Sequence, residues 1–269
     1  MNKYLEILKM KNWLKNIIIF LPFYIEGFLF SSGRFLSLII PFIALCLISS
    51  AGYILNDICD IEEDRLHPKK KHRPFASGTI RPITGSLILS ILIIFSFFLY
   101  PSIYLLLLFL IDLIYNVKFR HVPYLDCTVL SSKYPVRLMM GYDILAISPD
   151  ISLLLIVFFL AIILAIFKRI GEVGIYSRSV MKYYTKNRLY SFFRLNFYLL
   201  GSLILIFFIY NNFFYSIIPS IFLYGYLYYY SLNLNYEKGR SLAILKERSF
   251  QLFLLFLCFT SYLEIYRGI

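Results

Sequence analysis

The stretch "AGYILNDICDIEEDRLHPKKKHRPFASGTI", residues 51–80, decides how this chain is read. An apolar run gives way to Asp57, Asp60, Glu62, Glu63 and Asp64. A basic run follows at once, with His67, Lys69, Lys70, Lys71, His72, Arg73 and then Arg81. At about 100° per residue, Asp57, Asp60 and Asp64 fall within about 60° of one helix face. Tyr53 shares that face one turn earlier, whereas Glu62 points the opposite way and Glu63 lies well off it. The spacing predicts one helix that continues past Tyr53 to Asp64. Pro68 and Pro74 break helix, so the basic run reads as a loop. Carboxylates on one face repel unless a cation lies between them. Hard oxygen donors beside a phosphorylated substrate suit Mg2+, which binds one or two carboxylates plus phosphate oxygens. Lys and Arg neutralise the remaining phosphate charge. A solvated helix end would explain the acids, and membrane topology would explain the lysines, but neither explains their adjacency.

The surroundings of this stretch are apolar. Of 269 residues, 60% are hydrophobic and 19% aromatic, and mean hydropathy is +0.74. Soluble domains average about 45–50% apolar. The excess comes in blocks of a length that suits bilayer spans of about 20 residues. The expected architecture is therefore all-α and polytopic. It has about nine transmembrane helices, near 16–31, 35–55, 85–100, 102–117, 127–147, 151–167, 192–210, 213–231 and 249–266, in one domain over 1–269. Lys and Arg favour the cytoplasmic side. With Lys3, Lys9, Lys11 and Lys15 inside, only Arg34 and Arg267 of the 27 basic residues fall outside. That places the N-terminus and the acidic segment on the cytoplasmic face of the inner membrane. The net charge of +12 then suits anionic lipid head groups and not nucleic acid. The basic start lacks a cleavable signal pattern. Cys46, Cys59, Cys127 and Cys258 have no paired spacing, and His67, His72 and His121 no metal-site spacing, so neither a disulfide nor a zinc framework is expected.

"NDICDIEED" resembles the NDxxDxxxD signature of the UbiA superfamily of intramembrane prenyltransferases, and "HPKKKHRPFASG" resembles the basic tail that follows it. The resemblance implies a UbiA-type helical bundle, with diphosphate held through Mg2+ at the end of the second helix. Members that use prenyl diphosphates carry a second Asp-rich motif after the sixth helix. Here "FKRIGEVGIYSRSVMKYYTKNR", 167–188, has Glu172 as its only acid. Lys168, Arg169 and Glu172 instead resemble the K-R-x-x-E pattern of the decaprenyl-phosphate phosphoribosyltransferase branch. "KMKNWLKN", 9–16, resembles that branch's start, with Trp13, Lys15 and Asn16 matching. "YNVKFRHVPYLD", 115–126, matches at Tyr115 and Asp126, with Arg120 at a Lys position. Arg137 and Gly141 match an Arg and Gly further on. Asp126, Lys133 and Arg137 would share a helix face that Pro135 kinks. Two departures stand out: Lys133 replaces a small residue, and Gly239 lacks the following Pro.

The resemblance implies transfer of 5-phosphoribose from phosphoribosyl pyrophosphate to a polyprenyl phosphate. Asp57, Asp60 and Asp64 would hold Mg2+ on the leaving pyrophosphate, oriented by Asn56, with Tyr53 beside them. Lys71, Arg73, Lys168 and Arg169 would take donor phosphates, with Tyr115 and Glu172 completing the pattern. Lys15, Arg120 and Arg137 would take the lipid or sugar phosphate, and Asp126 the ribose hydroxyls or Arg137. A lipid phosphate is already anionic, so no general base is required. The substrates, membrane lipids and open oligomerisation complete the expected partners. The alternative within enzymes is prenyl transfer to an aromatic or other small acceptor. A transporter would be expected to repeat its motif in a second half, and CDP-alcohol phosphotransferases carry a D-G-x-x-A-R pattern absent here.

Overall fold

The computed structural model describes residues 3–28, 31–67, 70–174, 179–211, 214–234 and 243–267, and among these there is no strand. Two compact units form. The first comprises Met1–Tyr24, Phe28–Pro149 and Tyr176–Lys182, and the second Ile25–Gly27, Asp150–Ile175 and Tyr183–Ile269.

The first unit opens with α1 (Lys3–Leu8), a 3₁₀ segment Met10–Phe20 and α2 (Leu21–Ile25). The expected first span is thus not one α-helix. In a 3₁₀-helix, residues three apart eclipse one another, which lines up Trp13, Asn16 and Ile19. This line packs on α3 (Ser32–Cys59). Trp13 Nε1 donates to Ser50 Oγ at 2.9 Å, and Asn16 accepts from Ser49 Oγ at 3.3 Å. Ile19 is fully buried against Leu38, Leu45 and Met140. Trp13 and Asn16 in "KNWLKN" therefore fasten the 3₁₀ segment to α3.

α3 does not continue to Asp64. It ends at Cys59, and α4 (Ile61–Leu66) begins after Asp60, whose backbone sits at φ −91, ψ 4. Acids are unfavourable at a helix C-terminus and favourable at an N-terminus. The break puts Glu62, Glu63 and Asp64 in a first turn. α5 (Pro82–Leu99) and α6 (Ile103–Val117) follow, both packed on α3. The expected fifth span is also two helices, α7 (Leu125–Ser131) and α8 (Lys133–Leu145). Pro135 lies in the first turn of α8, where its missing N–H costs nothing, so it starts a helix and does not kink one. Gly141 brings α8 against the 3₁₀ segment, because a Cβ there would stand 2.3 Å from the Ile19 carbonyl oxygen.

The second unit holds α9 (Ile151–Glu172), α10 (Lys186–Tyr210), α11 (Phe214–Leu232) and α12 (Arg248–Arg267). Aromatic rings dominate its interior. Phe197 stacks on Tyr224 at 3.8 Å and meets Phe193 at 5.3 Å, and Phe167 meets Tyr230 at 5.6 Å. The Tyr224 hydroxyl donates to the Phe197 carbonyl at 2.9 Å. These tyrosines pack, as their place in an apolar segment suggests. Ser216 donates to Glu264 on α12, giving that carboxylate a partner in an apolar setting.

Among the described residues, five helices are long and apolar enough to cross a bilayer: Ser32–Cys59, Pro82–Leu99, Ile151–Glu172, Lys186–Tyr210 and Arg248–Tyr266. α6 is apolar but shorter. Outward-facing Leu87, Ile91, Ile94 and Phe98 on α5 are more than 60% exposed, which suits lipid and not water. The protein is an integral membrane protein.

Candidate active site

The site is built where the first unit buries its charge. Asp57 ends α3 and is 3% exposed. Its Oδ1 accepts from Lys9 Nζ at 2.6 Å and from Arg73 NH1 at 2.9 Å. The same Arg73 nitrogen reaches Asp64 Oδ2 at 2.7 Å. Lys9 gets there because its backbone adopts φ 48, ψ 44, turning α1 into the 3₁₀ segment. Its ring neighbour is Tyr53, 5.7 Å away. Arg73 gets there because the basic loop folds back on itself, with Arg65 Nε donating to the Ala76 carbonyl and Ser77 N to the Arg73 carbonyl. Burial pushes the Lys9 ammonium below its ordinary pKa, while Asp57 opposes the shift. Burial likewise pushes the Asp64 carboxyl up, against the pull of Arg73.

Asp60 turns elsewhere. Arg120 NH2 lies 2.6 Å from Asp60 Oδ1 and 3.0 Å from Glu63 Oε2, and NH1 donates to the Cys59 carbonyl. Arg120 is 7% exposed. Glu63, read from the sequence as a bystander, belongs to this cluster. Asn56 donates to Asn116 Oδ1 at 2.9 Å, and Asn116 donates to the Asp112 carbonyl, so Asn56 ties α3 to α6. Lys71 is exposed, and Lys69 and Gly239 lie outside the described residues.

Deeper in the first unit, Arg137 is 2% exposed, and its Nε has no hydrogen-bond partner among the described residues. The guanidinium lies 5.2 Å from the Tyr134 ring. Lys15, just ahead of the apolar stretch, is pushed down to about 8, chiefly by burial and then by repulsion from Arg137, Lys133 and Lys9. Asp126 is fully buried in the first turn of α7, and Tyr115 is buried on α6. Lys133 does not share a helix with Asp126. Its Nζ is 2.6 Å from both oxygens of Asp112. In the second unit, Arg169 pairs with Glu172 at 2.7 Å, three residues apart, and Lys168 precedes it on α9.

Sequence reasoning missed Lys9 and Asp112 as site residues. Lys9 stands where the resembling branch begins with Arg, which was its available signal. Asp112 had two: an acid alone in an apolar span, and a buried Lys133 needing a counterion.

The donor set fits a divalent cation. Oxygens of Asp57 and Asp64 converge on one nitrogen, at 2.9 and 2.7 Å, the paired hard-oxygen arrangement that Mg2+ shares with phosphate. Among the described residues, no three acid, His or Cys side chains form a ready cage.

The first unit thus sets buried acids, capped by Lys9 and Arg73, on helices that also carry the buried Arg137 and the half-buried Lys15. The chain belongs to the UbiA prenyltransferase family, whose profile matches residues 20–258. It is 27% identical over 189 residues to the decaprenyl-phosphate phosphoribosyltransferase of Corynebacterium glutamicum, covering 66% of this chain and 57% of that one. It is 32% identical over 184 residues to the nodulation protein NoeC of Azorhizobium caulinodans, covering 63% and 57%. The matches span from 33% to 59% of the curated relatives' own lengths. In fold, it resembles a UbiA homolog from Archaeoglobus fulgidus bound to GPP and Mg2+, with TM-score 0.63 and 17% identity over 99% of this chain and 100% of that one.

Proposed function

We propose that the protein transfers 5-phosphoribose from phosphoribosyl pyrophosphate to a polyprenyl phosphate, with Mg2+, at the inner face of the cytoplasmic membrane. The observation that carries this reading is the pairing of two unlike clusters in one unit. One has acids (Asp57, Asp64) capped by Lys9 and Arg73, and suits a diphosphate and its metal. The other has cations (Lys15, Arg137) that form no ion pair among the described residues, and suits a phosphomonoester. The relatives named decaprenyl-phosphate phosphoribosyltransferase support it, as does Glu172 standing alone where a second acidic pair would serve prenyl diphosphates.

In this reading, Asp57 and Asp64 would hold the cation, with Asp60 close by on Arg120. The metal would offset charge on the departing pyrophosphate, which is Lewis-acid assistance. Arg73 and Lys9, released from the carboxylates, bind phosphate oxygens instead. The bond from ribose C1 to the pyrophosphate oxygen breaks, and the electron pair leaves with pyrophosphate. A lipid phosphate oxygen held by Arg137 and Lys15 forms the new bond to C1. No proton needs to move. Arg120 positions the acids and is not assigned to substrate phosphate, and Asn56 positions α6. Asp126 and Tyr115 line the same unit and are proposed to hold the ribose. Lys168 and Arg169 support the phosphoribosyl branch by resemblance alone.

The test is a transfer assay in lipid nanodiscs with Mg2+, polyprenyl phosphate and phosphoribosyl pyrophosphate carrying label in the ribose. Label entering the organic phase, and blocked by Asp57→Asn, is expected. No such label, under conditions where a known enzyme of this kind works, contradicts the reading. Label entering a lipid only from a prenyl diphosphate would favour prenyl transfer.

A further inference from the structure

The buried Asp112–Lys133 pair has no place in the reaction as described. It joins α6 to α8 with both carboxylate oxygens at 2.6 Å from one ammonium, and both residues are under 9% exposed. The main chain of α3 makes room for it, since a Cβ on Gly52 would stand 2.1 Å from Asp112 Oδ2.

Lys133 and Arg137 are four residues apart on α8, so they share a face. Like charges at that spacing repel, and more so in an apolar setting. Asp112 answers one of them. Arg137 forms no ion pair among the described residues, its Nε has no hydrogen-bond partner, and it is 2% exposed. Lys15 approaches from the 3₁₀ segment within electrostatic reach of both, and it too forms no ion pair among the described residues. Among the described residues, these three cations share one ion-paired acid, Asp112, which leaves two positive charges without a paired acid. A phosphomonoester near neutral pH carries close to two negative charges, as its second pKa of about 6 dictates. Buried ionisable groups in membranes pair or mark substrate paths. The surplus therefore matches a phosphate in charge, and Lys133 is the cation whose partner can be exchanged.

We infer that Lys133 is a third ligand for the substrate phosphomonoester, held charged and in place by Asp112 until the phosphate arrives. This rests on the reading of Arg137 and Lys15 as the phosphate site. Asp112 is then a positioning residue that competes with the substrate. The competition sets a sign. Removing Lys133 weakens phosphate binding, whereas neutralising Asp112 leaves binding as tight as before or tighter. A pair that only braced two helices would weaken binding in the same direction when either half was lost.

The experiment uses the full chain in nanodiscs and reads binding directly, without turnover. Trp13 is the only tryptophan and stands two residues from Lys15, so its fluorescence reports the site. The probes are farnesyl monophosphate for a lipid headgroup and ribose 5-phosphate for a sugar phosphate. Lys133→Met is expected to weaken one of them about tenfold or more, or about 1.4 kcal/mol. Lys133→Arg should retain most of that affinity, and Asp112→Asn should match or exceed wild type. The probe that depends on Lys133 identifies the source of the phosphate. Equal weakening by Lys133→Met and Asp112→Asn overturns the inference, as does wild-type affinity in Lys133→Met. Should Asp112→Asn not fold, the double variant Asp112→Asn/Lys133→Met removes both charges together. It must bind as weakly as Lys133→Met, and wild-type affinity in it overturns the inference equally. Wild-type protein that shows this pattern yet forms no phosphoribosyl lipid contradicts the reaction proposed above and leaves the phosphate site standing.

Discussion

The two compact units handle burial in opposite ways. The first buries Asp57, Asp60, Asp64, Asp112, Arg120, Asp126, Lys133 and Arg137, whereas Arg169 is the one charged side chain buried in the second among the described residues. The second fills its interior with rings, such as Phe167, Phe193, Phe197, Tyr224 and Tyr230. Burying a charge is costly and persists where a partner or a function offsets it. The reading proposed above puts the chemistry with the buried charge of the first unit, whereas the rings of the second pack.

That contrast can be broken most forcefully at the acids. Replacing Asp57 or Asp64 by Asn removes a ligand of the proposed cation and leaves Arg73 with one partner. Initial-rate assays should show turnover down by on the order of a thousandfold. A loss under tenfold would remove the acids from the reaction. Arg137→Met comes next. It should weaken use of the lipid phosphate by about a hundredfold, seen as kcat/KM falling for that substrate, because a buried charge-assisted contact is lost. Equal tolerance of Arg137→Met and of Tyr224→Leu in the second unit would erase the distinction between the units.

Smaller effects sharpen it. Gly141→Ala forces a Cβ against the Ile19 carbonyl and should cost about 1–3 kcal/mol by thermal unfolding. Tyr224→Leu loses a stacked ring and one hydrogen bond, about 1–2 kcal/mol, with phosphate affinity unchanged. The smallest effect is on pH. Lys15 is pushed down to about 8 in the substrate-free protein. Its charge is present below that value and lost above it. Phosphate affinity should therefore decline as pH rises from 7 to 9, by at most about tenfold over that range, and Lys15→Met should flatten that dependence.

Much of this was legible in the chain. The acidic and basic segments, the turn at Tyr100–Ser102 and the long apolar helices α9 to α12 follow from composition and spacing. What was hidden has physical causes. A run of acids reads as one helix face, but the helix dipole favours breaking it at Asp60 so that the later acids begin a new helix. Pro135 reads as a kink, yet sits where a helix can start after Ser132. Met10–Phe20 looks like an α-helical start, and its 3₁₀ winding appears only once Trp13, Asn16 and Ile19 have α3 to pack against. Asp112 and Lys133 are 21 residues apart, and their pairing depends on the space left by Gly52.

The central claim concerns which group is transferred. It is tested most directly by mass spectrometry of the lipid made when the protein receives polyprenyl phosphate, phosphoribosyl pyrophosphate, a prenyl diphosphate and Mg2+ together. The account predicts a polyprenyl phosphate heavier by one 5-phosphoribosyl group, with the prenyl diphosphate unconsumed. A prenylated product with phosphoribosyl pyrophosphate left intact would contradict it.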